Sequence, residues 1–239
     1  MTSCRYRQYS QRSSNPEKVK THKTLFVCIA SVACFLAVTG EFITVFLSGA
    51  LYPGYSPLKD TMSSLGASVS PISDQISLWW MIMGILLVAF GAGFKQAFPD
   101  RGRQATWASW MIILYGIGEG LGSGLFKANR IAGGLTTSAL IHDILGGIGV
   151  IAILILPLIL PKVIRKTEAP FFKGMSRIIF IGGILTVFLF LFRYSTNKEN
   201  LLAIYKGLWQ RLFMLNTYIY LSTIAVIMLV RLPKGSRQS

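Results

Sequence analysis

The stretch Ala139-Leu-Ile-His-Asp-Ile-Leu-Gly-Gly-Ile-Gly-Val-Ile-Ala-Ile-Leu-Ile-Leu-Pro-Leu-Ile-Leu-Pro161 decides the fold. Past His142 and Asp143 it carries no ionisable side chain. It is long enough to cross roughly 30 Å of hydrocarbon, which takes about twenty helical residues. Comparable runs lie on both sides of it, at 24–50, 76–98, 105–126, 176–194 and 209–232. Alternating strand patterns are absent, and backbone groups in hydrocarbon must pair within their own segment, so all six runs read as helices. The expected architecture is all-α: a polytopic transmembrane bundle of six helices over 24–232. A basic tail, 1–23, precedes it and a short tail, 233–239, follows.

Composition supports this reading. The 239 residues are 52% hydrophobic and only 14% charged, against about a quarter charged in a soluble domain, and mean hydropathy is +0.54. Such a chain is neither a water-soluble globule nor disordered. The net charge of +15 does not point to nucleic acid, because the basic residues cluster between apolar runs, as membrane insertion requires. The tail residues Arg5, Arg7, Arg12, Lys18, Lys20 and Lys23 are expected to meet anionic lipid headgroups. Of the 24 Lys and Arg, 17 fall in the two tails and in the loops after the second and fourth spans, and 7 in the other three loops. That asymmetry places both termini in the cytoplasm of a multi-pass cell-membrane protein. The first run exceeds a signal-peptide core of roughly 7–15 residues and contains Glu41, so it reads as an uncleaved span. Cys4, Cys28 and Cys34 form no disulfide framework.

All five Trp lie near span ends, where an amphipathic ring suits the interface. Gly116, Gly120 and Gly124, with Gly118 and Gly122 between them, leave a bare helix surface for close packing. Pro157 is expected to kink the fourth span.

The ionisable residues inside the apolar runs crowd towards the exterior. Glu41 and Glu119 lie in the outer thirds of spans one and three, and His142 and Asp143 open span four. Arg193 closes span five, while Lys206, Gln210 and Arg211 lead into span six. An ion at the helix centre costs about 2.5–3.5 kcal/mol on insertion scales, so these groups are expected to point inward. They would then form either an ion-pair lock of Glu41, Glu119 and Asp143 with Arg193 and Arg211, or the wall of a polar pocket.

The first outer loop contains Tyr52-Pro-Gly-Tyr-Ser-Pro-Leu-Lys-Asp-Thr-Met-Ser-Ser-Leu-Gly-Ala67. Ser56 followed by Pro57 is a good helix start. Leu58, Met62 and Leu65 then share a face, and Gly66 is placed to end the turn, which predicts a short amphipathic helix. Asp60 on it would reach the hydroxyl of Ser63 or Ser64.

This loop, the six spans, the His142-Asp143 pair and the Gly207-Leu-Trp-Gln-Arg211 entry to span six together resemble a bacterial and archaeal family, domain-of-unknown-function family 998. Its most specific piece here is Ser63-Ser-Leu-Gly-Ala67 with the later Pro71. The resemblance implies a six-helix integral membrane fold and no established reaction.

Two histidines, His22 and His142, on opposite sides of the bilayer leave no bis-histidine haem and no three-histidine zinc site. No metal or cofactor is expected. The glycine run at 116–124 lies inside a span and is not a nucleotide fingerprint. Three functions stay open. The first is binding of a lipid headgroup or small polar ligand by Glu41, Asp60, Ser64, Glu119, His142, Asp143, Arg193, Lys206, Gln210 and Arg211. The second is a membrane-embedded hydrolase or transferase built on Ser63 or Ser64 with His142 and Asp60, which needs the base within about 3 Å of the hydroxyl. The third is small-molecule transport. The binding reading leads, with membrane lipid as the expected partner; the chain leans away from being an enzyme, and self-association stays open.

Overall fold

A computed structural model of the chain describes residues 16–131, 134–197 and 199–232. Cys4, Arg5, Arg7, Arg12, Lys198, Lys234 and Arg237 lie outside the described residues, as do the side chains of Lys18 and Lys20. The fold is all-helical apart from a two-residue hairpin pairing, Arg130 with Leu135 and Ile131 with Gly134. Helix α1 is Pro16–Leu51, α2 Ser73–Ala97 and α3 begins at Gly102–Tyr115. Helix α4 is Thr137–Ile159, α5 Phe172–Leu191 and α6 Lys206–Arg231. Helix α1 starts upstream of the expected boundary at 23, so the end of the basic tail continues the first span without a break.

Among the described residues five helices are long and apolar enough to cross a membrane: Thr21–Leu51, Ser73–Ala97, Thr137–Lys162, Phe172–Tyr194 and Lys206–Arg231. The remaining expected span, 105–126, is built differently. After Tyr115 the winding widens to a π-helix over Gly116–Gly122 and returns to α for Ser123–Leu125. Alternating glycines explain how α3 fits between its neighbours. Cβ atoms on Gly116, Gly120 and Gly124 would strike α2 at Gly84, Leu87, Ser77 and Met81, while those on Gly118 and Gly122 would strike α4 at Leu145 and Gly149. Small residues thus let α3 approach two helices at once.

The helices form a closed ring in which each packs against the next and α6 returns to α1; α4 and α5 meet least. Apolar side chains cover the outside of the ring, among them Phe46, Ile85, Ile148, Ile178 and Val230. Polar groups such as Glu41, Ser31, Ser109 and Thr217 are buried within. An apolar outer surface with the few membrane-depth polar groups turned inward is the distribution of a protein dissolved in lipid, and the chain is a multi-pass membrane protein.

The lower half of the ring, towards the 98–101 and 160–171 connections, is a dry aromatic core. Phe94 packs on Phe98 and Phe172 stacks on Tyr220, with ring centroids 4.7 and 5.4 Å apart. Ser176 donates to the Phe172 carbonyl at 2.8 Å and accepts the Tyr220 hydroxyl at 2.8 Å. Four charges close this end. Arg101 meets Glu168 at 2.8 Å, Arg231 meets Asp100 at 2.7 Å, and Arg231 also bonds Glu168.

The upper end carries the connections 52–72, 126–136 and 192–205. Its first segment corrects the expected helix. Residues 57–59 form turns, and only Met62–Gly66 winds, as a single stretch of 3₁₀-helix with Met62 and Leu65 inward. Leu58 is exposed. Asp60 does not serve the serines. Its Oδ2 accepts the Ser56 N–H at 2.8 Å, closing the turn, while Ser64 Oγ donates to the Thr61 carbonyl at 2.6 Å and Ser63 Oγ pairs with Thr61 Oγ1 at 3.0 Å. Local side-chain bonding of this sort competes with helix propagation, which is why the helix starts late.

Candidate ligand cavity

The first turns of α6 hold the 52–72 segment over the mouth of the ring. Gln210 Oε1 accepts the Met62 N–H at 2.7 Å, and the Leu208 N–H donates to the Leu58 carbonyl at 2.9 Å. Arg211 donates to the carbonyls of Pro57, Asp60 and Gly207 and to the Tyr55 hydroxyl. Gly207 is obligatory here, since a Cβ would lie 2.6 Å from the Pro57 carbonyl oxygen. Burial pushes the Tyr55 phenol up from its ordinary pKa, against the opposing pull of Arg211. Arg211 is therefore a clasp for backbone carbonyls, not the counter-ion of a buried acid.

Beneath this cover lies a cavity of about 400 Å³. Its wall brings together Glu41, Ser63, Glu119, His142, Asp143, Arg193 and Gln210 from five of the six helices and the loop. A second, outer chamber of about 590 Å³ is lined by Asp60, Ser63, Ser64, Arg130, Arg193 and Lys206 with Asn129 and Thr136. Ser63 and Arg193 line both. Of the residues singled out from sequence, only Arg211 lines neither.

The three acids have different fates. Glu41 is 1% exposed, and its two oxygens accept the indole N–H groups of Trp79 at 2.7 Å and Trp80 at 3.2 Å. Asp143 pairs with Arg130 at 2.9 Å and lies 3.9 Å from Arg193. Glu119, on the π segment, has no hydrogen bond or ion pair among the described residues. Its carboxyl passes over Gly146, where a Cβ would come within 3.1 Å of Oε1. The expected ion-pair lock thus exists only at Asp143. π turns recur at functional sites because they re-aim a side chain within a continuing helix, and here the re-aimed side chain is a cavity-facing carboxyl.

Arg193 is held by its rings as much as by its ions. Its guanidinium lies 4.3 Å from the centroid of Phe190 and 4.6 Å from that of Tyr194, and its Nε is buried with no hydrogen-bond partner among the described residues. His142 Nδ1 lies 2.8 Å from the Phe126 carbonyl oxygen, an atom that can only accept. Nδ1 therefore carries a proton and the neutral ring would keep its lone pair on Nε2. No hydrogen bond joins His142 to Ser63 or Ser64 among the described residues, and no group of three His, Cys, Asp or Glu converges to hold a metal there.

Several lining residues were not visible as site residues in the sequence. Trp80, expected at the interface, is only 4% exposed and serves Glu41. Tyr115, Tyr218, Met83, Phe190 and Phe213 complete the apolar and aromatic wall. The adjacent pair Trp79-Trp80 was the available signal, since buried indole N–H groups require an acceptor.

The fold and the wall define a class: a multi-pass helical membrane protein with a largely apolar cavity at one end, into which a few ionisable groups project. The chain belongs to the family described as Protein of unknown function (DUF998), whose profile matches residues 24–227. No curated protein and no solved structure matches the chain. Two of the sequence pieces that carry the family resemblance, the first outer loop and the 207–211 entry of α6, bond to each other over the cavity.

Proposed function

We propose that the protein crosses the cell membrane six times, with both termini in the cytoplasm and the upper end outside, and binds a lipid headgroup or small polar ligand in this cavity. The α3 run supplies the sixth crossing, and the Lys and Arg distribution supplies the direction. One observation carries the binding reading: Glu119 presents a carboxyl to a 400 Å³ space and makes no hydrogen bond or ion pair among the described residues, the Arg193 guanidinium in the same wall standing beyond contact distance. A carboxyl at membrane depth is costly unless something pairs with it. Glu41 and Asp143 show how readily this fold supplies partners where it needs them.

Among the described residues no nucleophile–base contact supports hydrolase or transferase chemistry; Ser63 and Ser64 both bond to Thr61. Transport needs a second way out, and the aromatic core closes the lower half.

Thermal melting of the purified protein in detergent, against a panel of lipids and polar metabolites, tests the reading. A ligand should raise the melting temperature, as anything that binds only the folded state must, and Glu119→Gln should reduce the shift. If no compound shifts the wild type, the binding reading fails.

A further inference from the structure

The two chambers have opposite electrical character. The outer one holds Arg130, Arg193 and Lys206 against a single carboxylate, Asp60, whose Oδ2 already takes the Ser56 N–H. Lys206 has no hydrogen bond or ion pair among the described residues, and the Arg193 Nε is likewise unpartnered. The inner chamber holds Glu41, Glu119 and Asp143 against Arg193 and His142. Asp143 is neutralised by Arg130 and Arg193, and Glu41 is held by indoles. Glu119 is the group left over, and Trp80, Tyr115, Phe190, Phe213 and Tyr218 stand around the same space. Carboxylate and aromatic faces together are what an ammonium group seeks.

The inner chamber also reaches the side of the bundle. Ile151 of α4 and Leu191 of α5 line it yet are 60% and 53% exposed. Gly147, also in its wall, has nothing within 4 Å of where a Cβ would sit. This gap falls between α4 and α5, the two ring neighbours that meet least, and its sides are Val150, Ile151, Val187 and Leu191, all apolar.

We propose that the two chambers form one site for a zwitterionic phosphate–ammonium ligand of the phosphoethanolamine type. Its ammonium sits on Glu119 and its phosphate sits at the junction by Arg193, with Arg130 and Lys206 above. When the ligand is a lipid, its chains leave between α4 and α5. The proposal rests on the binding reading above and adds the charge pattern of the ligand.

Native mass spectrometry of the detergent-solubilised full chain tests it. The probes are dioleoyl phosphatidylethanolamine, dioleoyl phosphatidylglycerol, which keeps the phosphate and chains but has no cation, and soluble phosphoethanolamine. The ethanolamine lipid should bind about tenfold more tightly than the glycerol lipid, the worth of one hydrogen-bonded charge pair. Glu119→Gln should bring that ratio to about one, whereas Arg193→Gln should weaken both lipids and leave the ratio standing. A ratio is insensitive to a general loss of folded protein, so either variant remains informative if it is less stable. Soluble phosphoethanolamine competing as strongly as the lipid would support the zwitterion and identify a water-borne source; competition only by the lipid would identify the bilayer. Equal binding of the two lipids by the wild type, or a preference that survives Glu119→Gln, overturns the zwitterion and leaves the cavity as a binding site. Binding of none of the three, while another compound stabilises the wild type, also overturns the zwitterion alone. If nothing stabilises it, both readings fall.

Discussion

The two ends of this bundle handle buried polarity in opposite ways. At the lower end Asp100 and Glu168 face Arg101 and Arg231, each acid meeting both arginines, next to stacked Phe172 and Tyr220. At the upper end the same kinds of residue enclose about 400 Å³ and leave one carboxyl without a mate. Two acids matched by two arginines give a seal at one end, and three acids around one shared arginine give a chamber at the other. What separates them is partner supply: each lower acid meets two arginines, whereas Glu119 on the π segment meets none within ion-pair distance among the described residues.

That contrast can be broken experimentally. The largest effect is expected from Gly84→Ala, where the new Cβ would lie 2.6 Å from the Leu121 nitrogen and 2.7 Å from the Gly116 carbonyl oxygen. Both obstacles are backbone, so α2 and the π segment must part. A loss of about 3 kcal/mol should show as a lowered melting temperature together with loss of any ligand-induced shift. Trp80→Phe comes next. It strips one indole from Glu41 and should cost about 2 kcal/mol for the orphaned oxygen, measured by denaturant or thermal unfolding in detergent; an unchanged midpoint would mean that water replaces the indole. Glu168→Gln removes the hub of the lower cluster. It should cost about 1 kcal/mol, since the group is partly exposed, and leave ligand binding at the upper end untouched. If binding changes, the ends are coupled and the contrast is less sharp than drawn.

The remaining two predictions run the other way. Glu119→Gln should leave stability unchanged or raise it by roughly 1 kcal/mol, because a neutral amide is cheaper than an acid without an ion pair, even as ligand binding weakens. A destabilised variant would show that Glu119 has a structural partner after all. Gly147→Ala should be nearly silent in melting experiments, since its Cβ enters open space and alanine is the better helix former by about 1 kcal/mol.

Much of this was legible in the chain. Apolar length located five spans because that signal is local. The inward turn of Glu41, Glu119, Asp143 and Arg193 followed from the cost of showing charge to lipid. The winding of α3 was not legible, because Gly116-Ile-Gly-Glu-Gly-Leu-Gly permits both α and π geometry and only the neighbours at Gly84 and Leu145 decide. Partner choice was not legible either. Arg211 and Glu41 could have met by depth alone, yet Arg211 is taken by the carbonyls of Pro57 and Asp60 and Glu41 by two indoles. Those outcomes depend on long-range register, which spacing within one helix does not encode. The first loop misled for a local reason, the Asp60–Ser56 bond that stops the helix from starting at Pro57.

The lateral gap beside Gly147 has a thermodynamic corollary. A molecule that arrives through it is drawn from a two-dimensional solvent, so occupancy follows its mole fraction in the leaflet and not its molarity in the surrounding buffer. Diluting a suspension of vesicles would leave such a site as full as before, and even a modest intrinsic affinity would keep it loaded wherever the ligand is a major membrane component.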